Sequence, residues 1–295
     1  MKGWLIHNGS LQTDKFKQIH TRYLNQAKKQ GIHLTLKRND EVMVLLSQTH
    51  QPLTDLTIDF VLFLDKDVLL AKQLEACGLP VFNSSEAIEQ CDNKGLMHHI
   101  LATKGIRQPK TIIAPLMFQT GQTFPAKFLD QVAEALGFPL IVKKSFGSFG
   151  DGVYLVESMA ELKHHSETLK HTPHLYQQYI ASSHGRDMRV HVVGDHVVAT
   201  MLRQSETDFR ANVTNGGKMF VVDVPDAFKH VAVKATHALG LDFSGVDLLF
   251  DEANEPIVCE VNSNAHIENI YQATGIDVSE AILTYIISRI HHLNR

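Results

Sequence analysis

Short apolar runs alternate with amphipathic stretches from the first residues of the chain onward. Trp4 to His7 reads as a strand. Phe16, Ile19, Tyr23, Leu24 and Ala27 then recur at helical spacing, and Leu34 to Leu36 reads as a second strand. The wholly apolar run Phe60 to Leu64 has the pattern of a strand covered on both faces, and Leu79 to Phe82 predicts one more short strand, ending at Asn83-Ser84-Ser85. Residues 1–92 therefore predict a small parallel α/β domain.

A helix is predicted over Lys94 to Lys104, with Leu96, Met97, Ile100 and Leu101 on one side, Gly105 as its C-cap and Pro109 beyond. Strands at Thr111 to Ala114, Leu140 to Lys143 and Val153 to Val156 surround a helix over Ala126 to Leu136, and a strand from Leu175 to Ile180 closes an α+β unit spanning 93–181. The remainder, 182–295, opens with a hairpin: Arg189 to Val193 and His196 to Met201 are β-rich and separated by Gly194-Asp195. A second hairpin joins Val246 to Phe250 with Pro256 to Val261. The final helix carries Val278, Ala281, Ile282, Tyr285, Ile286, Ile290 and Leu293 as a wide apolar stripe.

Composition narrows the class. The 295 residues suggest about two domains, and 44% apolar with 20% charged residues is the balance of a folded globular chain. The net charge of −4 supplies no global field for nucleic acid or an anionic membrane, and no run approaches the ~20 apolar residues needed to cross a bilayer, so a cytoplasmic protein is expected. Cys77, Cys91 and Cys259 are too widely spaced for a CxxC pair and read as reduced structural thiols.

The chemistry concentrates in two places. Ser145-Phe146-Gly147-Ser148-Phe149-Gly150-Asp151-Gly152 puts three glycines into six residues between two strands, where successive N–H groups can cradle phosphate oxygens; taken alone, the loop serves equally as a hairpin turn. Alternation along Ile141-Val142-Lys143-Lys144 turns Lys143 toward the face of Ile141 and Lys144 away from it, so one lysine leaves an apolar strand beside the loop, as a phosphate site requires and as a strand-end lysine reaching for water also would. Downstream, Asp247 sits inside Gly245-Val246-Asp247-Leu248-Leu249-Phe250, and Glu260 and Asn262 alternate onto one face of Ile257 to Asn262. Carboxylates in such apolar strands are costly unless paired or bound to a cation, and with an amide carbonyl they form a hard oxygen set suited to Mg²⁺ or Mn²⁺. Arg203 and Asp208-Phe209-Arg210-Ala211-Asn212 add cationic and amide groups between the hairpins.

The order Lys94, Lys143, SFGSFGDG, LYQQYI, DMRVHVVGDHVVATMLRQ, FRAN, GVDLLF and EVNSN resembles the ATP-grasp superfamily, and within it the ribosomal-protein glutamate ligase type, over about residues 92–290. The resemblance implies an ATP-grasp fold, with a pre-ATP-grasp α/β domain followed by two α+β subdomains that clamp ATP. It also implies site roles. Lys94 and Lys143 would hold the phosphates, under a lid formed by Ser145, Gly147, Ser148, Gly150 and Gly152. Gln178, Tyr179 and Ile180 would meet adenine, and Asp187 the ribose. Arg203, Arg210 and Asn212 would contact the γ-phosphate and acyl phosphate, and Asp247, Glu260 and Asn262 the metal. Gln178 departs from the acid that many relatives carry there, and Asn262-Ser263-Asn264-Ala265-His266 departs from the family's continuation on the acceptor side. His266 reads both as a base or substrate contact and as a plain helix-start histidine.

The activity so implied is carboxylate activation by ATP to an acyl phosphate, followed by amine attack that gives an amide, ADP and phosphate. Glutamate addition to a peptide, protein or small molecule is one form of it. Kinase action on a hydroxyl and a non-catalytic nucleotide-binding regulator are the alternatives. Partners are a carboxylate and an amine substrate, with no nucleic acid or membrane. Relatives are often dimers or tetramers, which leaves the oligomeric state open to a homo-oligomer.

Overall fold

The computed structural model describes residues 1–119, 121–147, 150–212 and 216–293, with residue 293 described by its backbone alone. The first unit runs β1 (Lys2–His7), α1 (Asp14–Lys29), β2 (His33–Arg38), the hairpin β3 (Val44–Leu46) and β4 (His50–Pro52), then β5 (Phe60–Leu64), α2 (Val68–Ala76), β6 (Val81–Phe82) and α3 (Ser85–Asp92). Its sheet has the order β2-β1-β5-β6 and is parallel throughout. Residues alternate between two cores: Leu5, Phe60 and Leu62 face α1, whereas Trp4, Ile6, Val61 and Phe63 face α2 and α3. Burial on both faces is why β5 is apolar at every position. The helices α2 and α3 have N-caps in Asp67 and Ser84, whose side chains accept from Leu70 N and Ala87 N.

Next come α4 (Lys94–Thr103), β7 (Thr111–Ile113), α5 (Ala126–Leu136), β8 (Leu140–Lys144), β9 (Val153–Val156), α6 (Met159–Leu169) and β10 (His174–Gln178), with the antiparallel order β7-β10-β8-β9. Leu140, Val142 and Tyr176 pack under α5 and α6, so the alternate residues Ile141, Lys143 and Gln177 face the other way. The strand ends at Gln178, which leaves Tyr179 and Ile180 just outside it.

The last unit holds β11 (Arg186–Val193), β12 (His196–Gln204), β13 (Lys218–Phe220), α7 (Asp226–Ala238), β14 (Phe243–Phe250), β15 (Pro256–Asn262), α8 (Ile267–Thr274) and α9 (Val278–Leu293), in the sheet order β13-β12-β11-β14-β15. One face of this sheet packs on α4 and α7 through Val190, Val246, Leu248, Val258, Phe228 and Met97. The apolar stripe of α9 returns to the first unit, where Ile282, Ile286 and Ile290 share a core with Leu5, Tyr23 and Phe60. Asn83, fully buried, ties the same two regions. Its Nδ2 donates to Phe243 O and Ser263 O, each at 2.9 Å, and its Oδ1 accepts from Asp242 N at 2.6 Å and Phe243 N at 3.2 Å. No helix among the described residues is long and apolar enough to cross a membrane.

Candidate active site

A cavity of about 380 Å³ opens between the middle sheet and the C-terminal sheet, with the C-terminal end of β1 at its far side. Of the residues predicted for the site, Lys94, Lys143, Gly147, Gly150, Gln178, Tyr179, Ile180, Asp187, Arg203, Arg210, Asn212, Asp247, Glu260 and Asn262 all line it. Ser145 and Gly152 do not. They shape the ends of the loop: Ser145 O accepts from Lys94 N at 2.9 Å, and Gly152 O accepts from Lys144 N at 2.9 Å, with Gly152 at φ +69° against the Lys144 side chain. Ser148 lies outside the described residues.

The register of β8 places the two lysines as alternation predicts. Lys143 is buried in the cavity wall, whereas Lys144 turns away and pairs with Asp151 at 3.6 Å. Lys94 enters from another direction. Asn93 caps α4 by accepting from Gly95 N and Leu96 N, which fixes Lys94 at the first helical position, and its Nζ donates to Gly147 O at 3.0 Å and meets Glu260 Oε1 at 3.1 Å. Burial works against the charge on Lys94, but Glu260 outweighs it and raises the pKa. For Glu260 burial pushes up, while Lys94 and then Lys143 win and hold the carboxyl below its usual range.

Asp247 and Glu260 are direct cross-strand partners. A bulge sets this pairing, since Asp247 opposes Glu260 but Leu248 opposes Val258, so β15 has one extra residue. Cys259 and Glu260 consequently both face the cavity while Val258 and Val261 both face the core. Strict alternation would have sent Cys259 to the opposite side, and sequence reasoning missed it for that reason. Its thiol is raised by burial, against the opposing charge of Lys143.

The acids are neutralised by a buried chain of charges. Arg203 donates to both oxygens of Asp187 at 2.6 Å and approaches Asp247 Oδ1 at 3.0 Å; Arg189 grips Asp247 from the other side, with Nη2 to Oδ2 at 2.7 Å. Burial pushes Asp247 up, but the two guanidiniums hold it at about 2. Asp187 has one arginine and a neighbouring negative charge, so burial leaves its pKa raised, and it is the easier of the two to protonate. Arg189 had not been singled out in the sequence; its position two residues beyond Asp187 on one strand face was the available signal. Arg210 donates to Gly150 O at 2.8 Å and pairs with Asp208 at 2.8 Å, which joins the glycine loop to the segment after β12.

A hard cation fits the third donor. Asn262 Nδ2 donates to Gly245 O at 3.4 Å, so Oδ1 is the atom turned to the cavity beside the two carboxylates. Among the described residues no three His, Cys, Asp or Glu side chains cluster as a metal site, so the set depends on this amide.

At the far end, His7, Asn8, Lys15, Phe16, His20, Asp65 and Lys66 meet Arg189, Asn264, His266 and Asn269. His266 occupies the N-cap of α8 and packs edge-on against Phe16. Burial, and then the charges of Lys15, Arg189 and Lys66, hold it at about 4, so it is neutral at pH 7 and a weak base.

The model of a RimK-like ATP-grasp domain matches residues 91–286. Human Beta-citrylglutamate synthase B is 36% identical over 227 residues, which are 76% of this chain and 57% of that protein, so the match spans little more than half of it. The "Probable alpha-L-glutamate ligase" of Stenotrophomonas maltophilia is 36% identical over 218 residues, 73% of this chain and 72% of that one. Among solved structures, D-alanine–D-alanine ligase from Bacillus anthracis, complexed with ATP, superposes with a TM-score of 0.73 at 19% identity, over 99% of this chain and 98% of that one.

Proposed function

The chain belongs to the RimK-like ATP-grasp family and has the ATP-grasp ligase fold, and we propose that its cavity is where ATP activates a carboxylate and an amine then captures it, with glutamate as one substrate. The observation that carries this reading is the convergence of Lys94 and Lys143 with Asp247, Glu260 and Asn262 on one cavity that the first unit closes at its far end.

In this reading adenine lies against Gln178, Tyr179 and Ile180, and Lys94 and Lys143 hold the phosphates as point charges. The contact of Lys94 with Glu260 is then exchanged for phosphate oxygens. Mg²⁺ held by Asp247, Glu260 and Asn262 would supply neutralisation of the developing phosphoryl charge. Arg210 and Asn212 face the transferring group, while Arg203 and Arg189 keep Asp247 ionised and oriented. The carboxylate attacks the γ-phosphorus to give an acyl phosphate and ADP. The amine nitrogen then attacks the acyl carbon, phosphate leaves, and the nitrogen loses a proton. Alignment and charge are the protein's contribution, with no covalent enzyme intermediate. At the far end Lys66 pairs with Asp92 and Arg189 with Asp247, so the carboxylate of a substrate such as glutamate would share these cations with the protein's own acids.

The test incubates the protein with ATP, Mg²⁺ and paired candidate carboxylates and amines, glutamate included, and follows phosphate release and product mass. Phosphate release that requires the amine, with a product joined through loss of water, is expected. A phosphorylated hydroxyl compound, or ATP turnover indifferent to any amine, would overturn the reading.

A further inference from the structure

Asp65 is the first residue past the C-terminal end of β5, and Asn8 holds the same place on the neighbouring β1, where His7 is the register partner of Leu64. The chain leaves these two strands in opposite senses. From β1 it passes through α1 to β2 on one side, and from β5 through α2 to β6 on the other, with α1 and α2 on opposite faces of the sheet. Where connections part in this way a crevice opens beyond the strand ends, and open α/β sheets take their ligands there. Asp65 and Asn8 both line the cavity at this point.

The carboxylate they place there is uncompensated. Of the other acids that line the cavity, Asp187 and Asp247 are held by arginines, Glu260 by Lys94 and Asp151 by Lys144. Asp65 is only 6% exposed, yet no lysine, arginine or histidine among the described residues forms an ion pair with it. The adjacent Lys66 turns its Nζ to Asp92 instead. Asp65 Oδ1 accepts from Lys66 N at 2.7 Å and from Asn8 Nδ2 at 3.2 Å, whereas Oδ2 has only the longer arm of the Asn8 contact, at 3.3 Å. A carboxylate offers about four acceptor positions, so Oδ2 keeps room for further donors. Burial leaves the pKa of Asp65 raised even against these hydrogen bonds, the mark of a negative charge that lacks a cation.

The neighbours decide which cation. Asn8 gives its amide N–H to Asp65, and its Oδ1 is taken by Ser10 N at 3.0 Å and by the Ser10 hydroxyl, so it brings no oxygen to a metal. No three His, Cys, Asp or Glu side chains among the described residues cluster as a metal site either. A divalent ion therefore lacks its ligand set here, whereas an organic ammonium can bind to a single carboxylate.

We propose that Asp65 selects the amine substrate: its Oδ2 receives that substrate's nitrogen in the ammonium form, and Asn8 is the positioning residue that holds the carboxylate. This rests on the ligase reading above and narrows it to amines that are protonated at neutral pH. The bound ammonium releases a proton to solvent before its nitrogen attacks. A hydroxyl acceptor would bring no charge to Asp65.

The experiment uses the full chain with ATP, Mg²⁺ and the carboxylate and amine found by the screen above, and sets that amine against hydroxylamine, a nitrogen nucleophile largely uncharged at neutral pH. In Asp65→Asn the KM for the amine should rise about ten- to a hundredfold. Hydroxamate formation with hydroxylamine, ATP affinity by calorimetry and thermal stability should stay at wild-type values. Asp65→Glu, which keeps the charge, should recover part of the amine KM, and Asp65→Ser repeats the loss of charge if the amide variant does not fold. Asn8→Ala should raise the amine KM by a smaller factor. An unchanged amine KM in a folded, uncharged variant, or an equal loss with hydroxylamine, overturns the role of Asp65 and leaves the ligase reading standing. A wild type that forms neither product overturns both.

Discussion

Lys143 Nζ lies 3.8 Å from Cys259 Sγ, although 116 positions separate the two residues. The contact exists because the bulge in β15 turns Cys259 onto the cavity side, opposite the strand that carries Lys143. Cys259 therefore belongs to the wall against which the phosphates are read to lie. Alkylation of Cys259 should abolish nucleotide binding, and saturating ATP with Mg²⁺ should slow its modification. The raised thiol makes labelling slow at neutral pH and faster as pH climbs. Peptide mass mapping with and without ATP checks this; equal labelling of Cys259 in both would remove it from the nucleotide wall.

The two lysines of β8 make a paired test. Lys143→Met should weaken ATP binding by about 1.5–3 kcal/mol, the scale of a hydrogen bond to a charged group. Lys144→Met removes a partly exposed pair with Asp151 and should change affinity little. Titration calorimetry giving the reverse order would contradict the register of the strand.

Glu260→Gln keeps the shape of the side chain but removes its charge, so folding should survive while metal-assisted turnover falls by several kcal/mol of barrier, roughly 10²–10³ in rate. The same change removes the partner of Lys94. Turnover within about threefold of the parent at saturating Mg²⁺ would argue against Glu260 as a ligand.

Acid sensitivity should begin well above the carboxylate range. His20, His98 and His266 are each held at about 4 by burial and neighbouring positive charge, whereas the unfolded chain protonates them near 6.5. Between these values the unfolded state binds more protons, so stability is complete above about pH 6.5 and falls as pH drops toward 4, by up to about 1.4 kcal/mol per pH unit for each proton taken up. Urea midpoints measured from pH 7.5 to 5 should decline steadily. A flat profile would mean that the rings gain charge in the folded state without cost.

What the chain discloses in sequence depends on how locally each signal is written. The helix over Ala126 to Leu136 and the strand Phe60 to Leu64 coincide with their predicted bounds, because an amphipathic period and an uninterrupted apolar run are properties of the segment itself. The helices α2, α3, α6 and α7 went unpredicted, and α8 was foreshadowed only by the reading of His266 as a helix-start histidine. In α2 and α3 the short apolar pattern is shared with strands, and the signals that distinguish them are single capping residues, Asp67 and Ser84. In the cavity, alternation sufficed for Lys143, Glu260 and Asn262. It failed for Cys259, because a bulge is a relation between two strands. It was silent on Arg189, whose meaning comes from Asp247, distant in the chain. The far end of the cavity was legible least of all, since His7, Lys15, His20 and Lys66 meet Arg189 and His266 only through folding.

The four backbone bonds made by Asn83 bear on inheritance. One side chain from the first unit completes the hydrogen bonding of the strand that carries Asp247 and of the turn that follows Asn262. Exchanging the first 92 residues for those of a relative would thus replace part of the far wall of the cavity and, unless the newcomer supplied an equivalent amide, strip four main-chain groups, most of them buried, of their partners. Substrate choice and catalytic geometry are sewn together at one amide, and divergence at the acceptor end has to proceed residue by residue around it, not by trading the unit as a cassette.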